Sequence, residues 1–122
     1  MASMSLLAKQ CLHTLREAKL VMYANITLGL SVKVDEWNRL LATQKEYVAK
    51  GVSWTLNSKH LDKCATDLYI AENGAVVYDG ARYRAMGEYW ESIGGRWGGR
   101  FLPLDPKTGV GKDPYHFESS DA

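Results

Sequence analysis

Residues 64–78 read Cys-Ala-Thr-Asp-Leu-Tyr-Ile-Ala-Glu-Asn-Gly-Ala-Val-Val-Tyr, and this stretch decides the fold. Two largely apolar runs, residues 64–71 and 75–78, flank the tripeptide Glu-Asn-Gly at 72–74. An Asn-Gly pair between two such runs is a strong β-hairpin signal, because both residues tolerate the positive φ angles of a tight turn. The stretch therefore predicts two antiparallel strands in the middle of the chain.

Upstream of this hairpin, the sequence predicts a helix, a strand and a second helix. Residues 25–34 alternate loosely between apolar and polar, which predicts a strand in their second half. Asp35 can cap a helix that Gly51 would end, and residues 52–63 look like a loop. The first helix, over residues 5–23, carries apolar side chains at amphipathic spacing: Leu7, Cys11, Leu12, Leu15, Ala18 and Met22.

Downstream of the hairpin, residues 82–93 predict a third helix that Gly94-Gly95 would close. Residues 96–122 are rich in Gly and Pro, with a short strand predicted at 115–118. We therefore expect an α+β fold in which a small antiparallel sheet packs against about three helices. At 122 residues the chain is long enough for a single domain, spanning residues 1–122.

Composition excludes several classes of protein. The formal net charge of +1 gives no basic footprint for nucleic acid, and no stretch reaches the ~20 apolar residues of a membrane-inserting helix. Lys9 interrupts the apolar start before a signal peptide could form, so we expect synthesis in the cytoplasm. Cys11 and Cys64 lack CxxC spacing, and we interpret them as free, buried thiols in a reducing compartment.

Metal-ligating side chains occur in two separated segments, Ser58-Lys59-His60-Leu61 to Asp67 and Asp113-Pro114-Tyr115-His116-Phe117-Glu118. His60, Asp67 and His116 can fill three corners of a zinc tetrahedron and leave the fourth for water. Asp113 lies three residues before His116, where it could take a proton from that water. This combination predicts a hydrolase.

The predicted elements allow these side chains to meet. Pairing of the final strand with the strand at 64–71 would bring His116 beside Asp67, and His116 and Glu118 would share one strand face. Glu118 then either orients a ligand histidine or is a solvated strand residue. Trp97, flanked by glycines, is the aromatic residue that we expect to line a cleft and contact substrate. The other aromatic residues of this region are expected in the core: Tyr83, Tyr89 and Trp90.

These motifs resemble those of the VanY-type D-Ala-D-Ala peptidase family. The matching strings are Ser58-x-His60-Leu61, Ala65-x-Asp67-Leu68, Trp97-Gly98-Gly99-Arg100-Phe101 and Asp113-x-x-His116-Phe117-Glu118. Within the family, the chain is most similar to small phage endolysins that act as L-alanyl-D-glutamate endopeptidases. The resemblance runs from about residue 34 to residue 118.

The resemblance assigns roles to individual residues. It implies that His60, Asp67 and His116 bind Zn²⁺ and that Asp113 activates the water. It also implies that Arg39 binds the substrate carbonyl and its developing oxyanion, and that Ser58 contacts substrate; on its helix Arg39 could instead pair with Asp35 or Glu36. The chain departs from the family at Leu40, in place of Thr or Ser, at Lys63, in place of Gly, and in a longer segment at 104–112.

The implied function is a zinc-dependent metallopeptidase that hydrolyses peptidoglycan stem peptides between L-Ala and D-Glu. It would be a monomeric endolysin of a phage or prophage, reaching the cell wall through a separate holin-type pore to cause cytolysis. Two alternatives stay open: a D-Ala-D-Ala carboxypeptidase, and a non-catalytic, zinc-stabilised cell-wall-binding or virion structural module. Two further side chains have ordinary interpretations, His13 as a surface or core-edge histidine and Cys64 as a packing residue.

Overall fold

A computed structural model describes residues 4–35 and 64–120. The first part contains helix α1 (Leu6–Met22), one π-helical turn (Tyr23–Thr27) and strand β1 (Ser31–Val34). The side chain of Ser5 caps α1 by accepting a hydrogen bond from the backbone N–H of Ala8. The predicted first helix and strand are confirmed, whereas the predicted second helix and the loop at 52–63 lie outside the described residues.

The central hairpin is present as predicted. Strand β2 (Ala65–Glu72) pairs antiparallel with strand β3 (Ala75–Val76). The two loop residues have positive φ angles, 53° at Asn73 and 77° at Gly74. A two-residue loop with both residues in this region is the hairpin turn whose twist matches the flanking strands. The Asn-Gly signal therefore gave the correct structure.

The rest of the chain adds one helix and two strands. A 3₁₀ turn (Gly80–Tyr83) leads into helix α2 (Arg84–Ser92), followed by strand β4 (Gly95–Trp97), a second 3₁₀ turn (Gly98–Arg100) and strand β5 (His116–Ser119). Gly94, with φ of 99°, ends α2 as predicted. Gly95 does not belong to that ending, because it is the first residue of a strand that the sequence did not predict.

The strands form one antiparallel sheet in the order β1-β2-β5-β4, with β3 paired to the end of β2. Between β2 and β5, Asp67 is the register partner of His116 and Thr66 that of Phe117. Helices α1 and α2 contact each other and pack against the sheet. The α+β fold is confirmed.

Strand alternation divides the side chains of the sheet between two faces. Leu68 and Ile70 of β2 and Phe117 of β5 lie in the core with the helices. Asp67 of β2 and His116 of β5 lie one position away from these core residues and therefore point to the opposite face. The sheet separates the hydrophobic core from the candidate active site.

Two tryptophans of the core hold the backbone around β5. The indole N–H of Trp97 donates to the carbonyl of Pro114 at 2.8 Å, and that of Trp90 donates to the carbonyl of Glu118, also at 2.8 Å. Both side chains are 0% exposed. The prediction that Trp97 lines a cleft and contacts substrate is therefore wrong, because its ring has no surface to offer. The flanking glycines serve a different purpose, since a Cβ at Gly99 would lie 2.2 Å from the Trp97 ring.

A polar cluster lies buried between α1 and the sheet. His13, 2% exposed, contacts Ser119 Oγ through Nδ1 and Thr66 Oγ1 through Nε2, both at 2.8 Å. The Thr66 hydroxyl donates its hydrogen to the carboxylate of Glu17, so it accepts the hydrogen of His13 Nε2. Burial raises the pKa of Glu17, although the hydrogen bond from Thr66 opposes the shift. His13 is thus a core residue and not the surface or core-edge histidine that the sequence predicted.

The opposite face of α1 is apolar and exposed. Leu7 is 69% exposed, Leu15 52% and Met22 57%, and Cys11 is exposed between them. The exposure of Cys11 corrects the prediction of two buried thiols, whereas Cys64 is 0% exposed and packs as predicted. The apolar residues whose spacing predicted the helix therefore lie mainly on its exposed side and not in the core.

The segment between the second 3₁₀ turn and β5 is a loop closed by backbone hydrogen bonds. The N–H of Asp105 donates to the carbonyl of Val110 at 2.9 Å, and the N–H of Gly111 donates to that of Gly99. Val110 is 3% exposed and anchors the loop in the core. Within the described ranges, no helix is long and apolar enough to cross a membrane.

Candidate active site

Asp67 and His116 form the centre of the candidate site. They are register partners on β2 and β5, and Oδ1 of Asp67 lies 3.5 Å from Nδ1 of His116. Their side chains are 18% and 11% exposed. The sequence predicted this pairing, and the register confirms it. A carboxylate oxygen and an imidazole nitrogen, both of types that bind metals, therefore lie close together at a largely buried position on the sheet.

Glu118 holds the far side of the His116 ring. Its Oε1 lies 2.9 Å from Nε2 of His116, and its side chain is 8% exposed. A carboxylate at this distance accepts the Nε2 hydrogen, which leaves the lone pair of the neutral ring on Nδ1, facing Asp67. Burial excludes the solvated alternative for Glu118. It orients the histidine in the way that carboxylates behind metal-binding histidines do.

The electrostatics of this group favour positive charge. Burial is the largest influence on His116 and lowers its pKa, but the hydrogen bonds with Asp67 and Glu118 and the charge of Asp113 outweigh it. Together they raise the pKa of His116 from 6.5 to about 9. A site that stabilises an imidazolium between carboxylates offers the same negative field to a bound cation.

Asp113 is tied to His116 by a turn of the backbone. The N–H of His116 donates to the carbonyl of Asp113 at 3.2 Å, which closes a four-residue turn through Pro114 and Tyr115. The Trp97 indole holds Pro114 within the same turn. The backbone of the predicted base is therefore held next to the predicted ligand.

Gly98 packs closely against this turn. A Cβ at residue 98 would lie 2.1 Å from the Asp113 carbonyl oxygen and 2.9 Å from the Cβ of His116. No side chain fits at such distances without moving the backbone of Asp113. The glycine in the Trp-Gly-Gly segment therefore permits the close approach that positions the base.

Three tyrosines form a wall beside the site that sequence reasoning missed. Tyr69 stacks on Tyr115 with 4.9 Å between ring centroids, and Tyr78, 68% exposed, meets both rings edge-on. Burial, followed by the negative charges of Asp67, Asp35 and Asp113, raises the pKa of Tyr69. Strand alternation was the available signal, because Tyr69 is two residues from Asp67 and shares its face.

The two central side chains fit part of a zinc site. Zinc bonds of 2.0–2.2 Å to N and O in a tetrahedron separate two ligand atoms by about 3.4 Å, close to the 3.5 Å between Asp67 Oδ1 and His116 Nδ1. Within residues 4–35 and 64–120, no three His, Cys, Asp or Glu side chains form a complete metal-binding group. Asp67 and His116 can thus supply two ligands, and a metal needs a third from elsewhere in the chain.

Three predicted site residues belong to the segment between β1 and β2. Arg39, Ser58 and His60 lie outside the described residues. Their roles as oxyanion contact, substrate contact and third zinc ligand stay predictions from the family resemblance.

Comparison with solved structures gives an independent indication. The chain is similar to the crystal structure of the Serratia marcescens L-Ala D-Glu endopeptidase ChiX, with a TM-score of 0.62 and 28% sequence identity. The similarity covers 84% of this chain and 79% of the Serratia protein. No protein-family model and no curated protein sequence matches the chain. The chain thus shares its fold with a solved L-Ala D-Glu endopeptidase.

Proposed function

We propose that this protein is a zinc-dependent peptidoglycan peptidase that hydrolyses the L-Ala–D-Glu bond of stem peptides. The observation that carries the proposal is the Asp67–His116 pair, with Glu118 behind the histidine and Asp113 three residues before it. The similarity to a solved L-Ala D-Glu endopeptidase supports both the peptidase activity and the choice of bond.

Asp67, His116 and the predicted ligand His60 would hold the metal. Zinc in such a site makes water acidic enough to ionise near neutral pH and polarises the carbonyl to be attacked. Glu118 keeps the Nδ1 lone pair of His116 directed at the site. Loss of this carboxylate would leave the ring without a fixed tautomer.

Asp113 performs the proton transfers. Its negative charge helps to raise the pKa of His116, and its backbone carbonyl accepts the N–H of His116, so the residue lies beside the Asp67–His116 pair. It takes a proton as water attacks the peptide carbonyl and returns that proton to the leaving amine. The turn closed by His116 N–H limits its motion between the two transfers.

The resemblance to phage endolysins supports a role in host lysis. In that role the enzyme would act on the cell wall after a separate holin-type pore gives it access. The same site chemistry serves a D-Ala-D-Ala carboxypeptidase, since the choice of bond depends on residues that flank the metal and not on the metal itself.

Digestion of purified peptidoglycan, with and without a chelator, tests the proposal when the new termini are identified by mass spectrometry. We expect new L-Ala carboxyl termini and D-Glu amino termini, no products with chelator, and recovery on adding zinc. Release of free D-Ala would instead identify a carboxypeptidase. Asp113→Ala should abolish hydrolysis while zinc stays bound, and Asp105→Ala in the exposed loop is the matched control. Full activity of Asp113→Ala would exclude the mechanism.

A further inference from the structure

Helix α1 buries two polar side chains on its inward side and exposes apolar side chains on its outward side. Its inward side places His13 and Glu17 against the sheet, together with Leu20. Its outward side carries Leu7, 69% exposed, and Leu15, 52% exposed. A helix that faces water normally turns its polar residues outward. An exposed stripe of this kind indicates a partner surface.

The exposed residues form a single narrow stripe. They are Leu7, Cys11, Leu15, Ala18 and Met22, and the stripe continues with Ile26, 69% exposed, in the π-helical turn. The spacings of four, four, three and four residues keep the five helical positions on one side of α1. Their sizes read large, small, large, small, large, so the order is nearly the same in both directions along the helix.

We propose that this stripe packs against the same stripe of a second copy of the chain, with the two α1 helices antiparallel about a two-fold axis beside Leu15. A two-fold interface must be complementary to itself, and the near-palindromic order of sizes meets that condition. Leu7 of one copy then meets Met22 of the other, and Cys11 meets Ala18. The small residues opposite each other at Cys11 and Ala18 let the two helices approach closely around the central leucines.

The surface next to the stripe contains hollows that could accept side chains of a second copy. Two shallow hollows flank Met22 and Ile26, one lined by Ala18, Tyr23 and Tyr89 and the other by Val21 and Val32. In the antiparallel arrangement, the exposed residues at the start of the second copy reach these hollows, namely Met4 and Leu7.

The charges of α1 also permit self-association. The exposed side of α1 includes no acidic residue, and Lys19 is the one charged residue of this helix that is exposed. With the axis beside Leu15, the Lys19 residues of the two copies are offset by nine helical positions, about 14 Å, so they do not face each other. The proposal departs from the monomer expected from sequence, and it does not depend on the proposed function.

Sedimentation equilibrium of the full chain over micromolar to millimolar concentrations tests the dimer. We expect dimers for the parent and monomers for Leu15→Glu at the same concentrations, because the axis would place two carboxylates together. Leu104→Glu is the matched control, since Leu104 is a similarly exposed leucine (45%) outside α1 and should leave the dimer intact. A parent chain that stays monomeric throughout would overturn the proposal.

Disulfide formation tests the orientation of the helices. We expect Ala18→Cys to form an intermolecular disulfide with native Cys11 under mild oxidation. The parent should stay unlinked, because its two Cys11 residues would be offset by seven helical positions, about 10 Å, beyond the reach of a disulfide. Cys64 is fully buried and should not react. Efficient linkage in the parent would indicate that the two helices are parallel, and would contradict the proposed antiparallel dimer.

The exposed stripe of α1 could instead bind a lipid surface. A vesicle-binding experiment distinguishes this alternative from the dimer. Vesicles of phosphatidylglycerol mixed with phosphatidylcholine should not retain more of the parent than of Leu15→Glu. Binding that Leu15→Glu loses, together with a monomeric parent in the absence of lipid, would assign the stripe to a membrane and overturn the dimer.

Discussion

Asp67 and His116 face each other across the β2–β5 pair, with Oδ1 and Nδ1 separated by 3.5 Å. This separation is set by strand register, which hydrogen bonds fix along both strands, including that from the Leu68 N–H to the Tyr115 carbonyl at 2.9 Å. A one-residue slip would send His116 to the opposite face of the sheet. The two side chains therefore meet because of the sheet and independently of any loop.

Replacing Glu118 by Gln should weaken zinc binding by about tenfold, the lower end of the range for lost carboxylates behind metal-binding histidines. The amide oxygen can still accept the Nε2 hydrogen of His116, but it lacks the negative charge that makes the ring a better ligand. Competition with a chromophoric chelator measures the affinity. Glu72→Gln, at the exposed end of β2, is the control and should bind zinc as the parent does. Equal affinity in both variants would remove Glu118 from the site.

Replacing Gly98 by Ala should lower kcat by about a hundredfold, the loss typical of a 1 Å misplacement near reacting groups. The new Cβ would overlap the carbonyl oxygen of Asp113 and press on His116. Steady-state hydrolysis of a stem-peptide substrate measures the effect. Gly29→Ala is the control for the cost of a glycine substitution, because Gly29 has φ of 68° and no atom near its Cβ position. It should lose stability but keep kcat.

Replacing Trp97 by Phe should reduce the free energy of unfolding by about 2 kcal/mol, because the Pro114 carbonyl loses its buried donor and the smaller ring leaves a cavity. Chemical denaturation followed by circular dichroism measures the change. KM should stay close to that of the parent, since the ring has no exposed surface. A large rise in KM with unchanged stability would restore a substrate-binding role for Trp97.

The buried carboxyl of Glu17 should make folding stability fall as pH rises. Its pKa is raised in the folded state, so its contribution is complete below the unfolded value of about 4.5 and is lost as pH rises through the folded value. Glu17→Gln should therefore be more stable than the parent at pH 7, by on the order of 1 kcal/mol. This advantage should disappear toward pH 4.

Denaturation curves of both proteins from pH 4 to pH 8 measure the difference. The exposed, ion-paired Glu72→Gln serves as the control, and should show no such gain at neutral pH. A Glu17→Gln protein that is less stable than the parent at pH 8 would mean that the ionised carboxylate is stabilised by His13, 3.9 Å away.

Local sequence signals predicted the elements that position the site. The Asn73-Gly74 pair fixed the hairpin, and the alternation around Asp67 and His116 gave their pairing and common face. Strand β4 was not predicted, because a strand of three residues that begins with glycine is too short to show an alternation of apolar and polar side chains. The role of Trp97 was wrong for a related reason, since glycines beside an aromatic residue fit both an open cleft and tight core packing.

The orientation of α1 could not be predicted from its own sequence. Both sides of the helix carry apolar residues, and the inward side is chosen by the polar partners of His13. Those partners, Thr66 and Ser119, are 53 and 106 positions away. Only the assembled sheet brings them together under the helix.

The loop before β5 is closed at its base by two backbone hydrogen bonds, which we call its neck. This closure determines where the loop can be lengthened. The bonds from Asp105 to Val110 and from Gly111 to Gly99 leave residues 106–109 as a tip outside the neck. Insertions at that tip would leave the path of residues 111–118 unchanged, since loop length costs little once its ends are joined. Residues 106–109 are therefore the part of this loop where added residues would disturb Asp113 and His116 least.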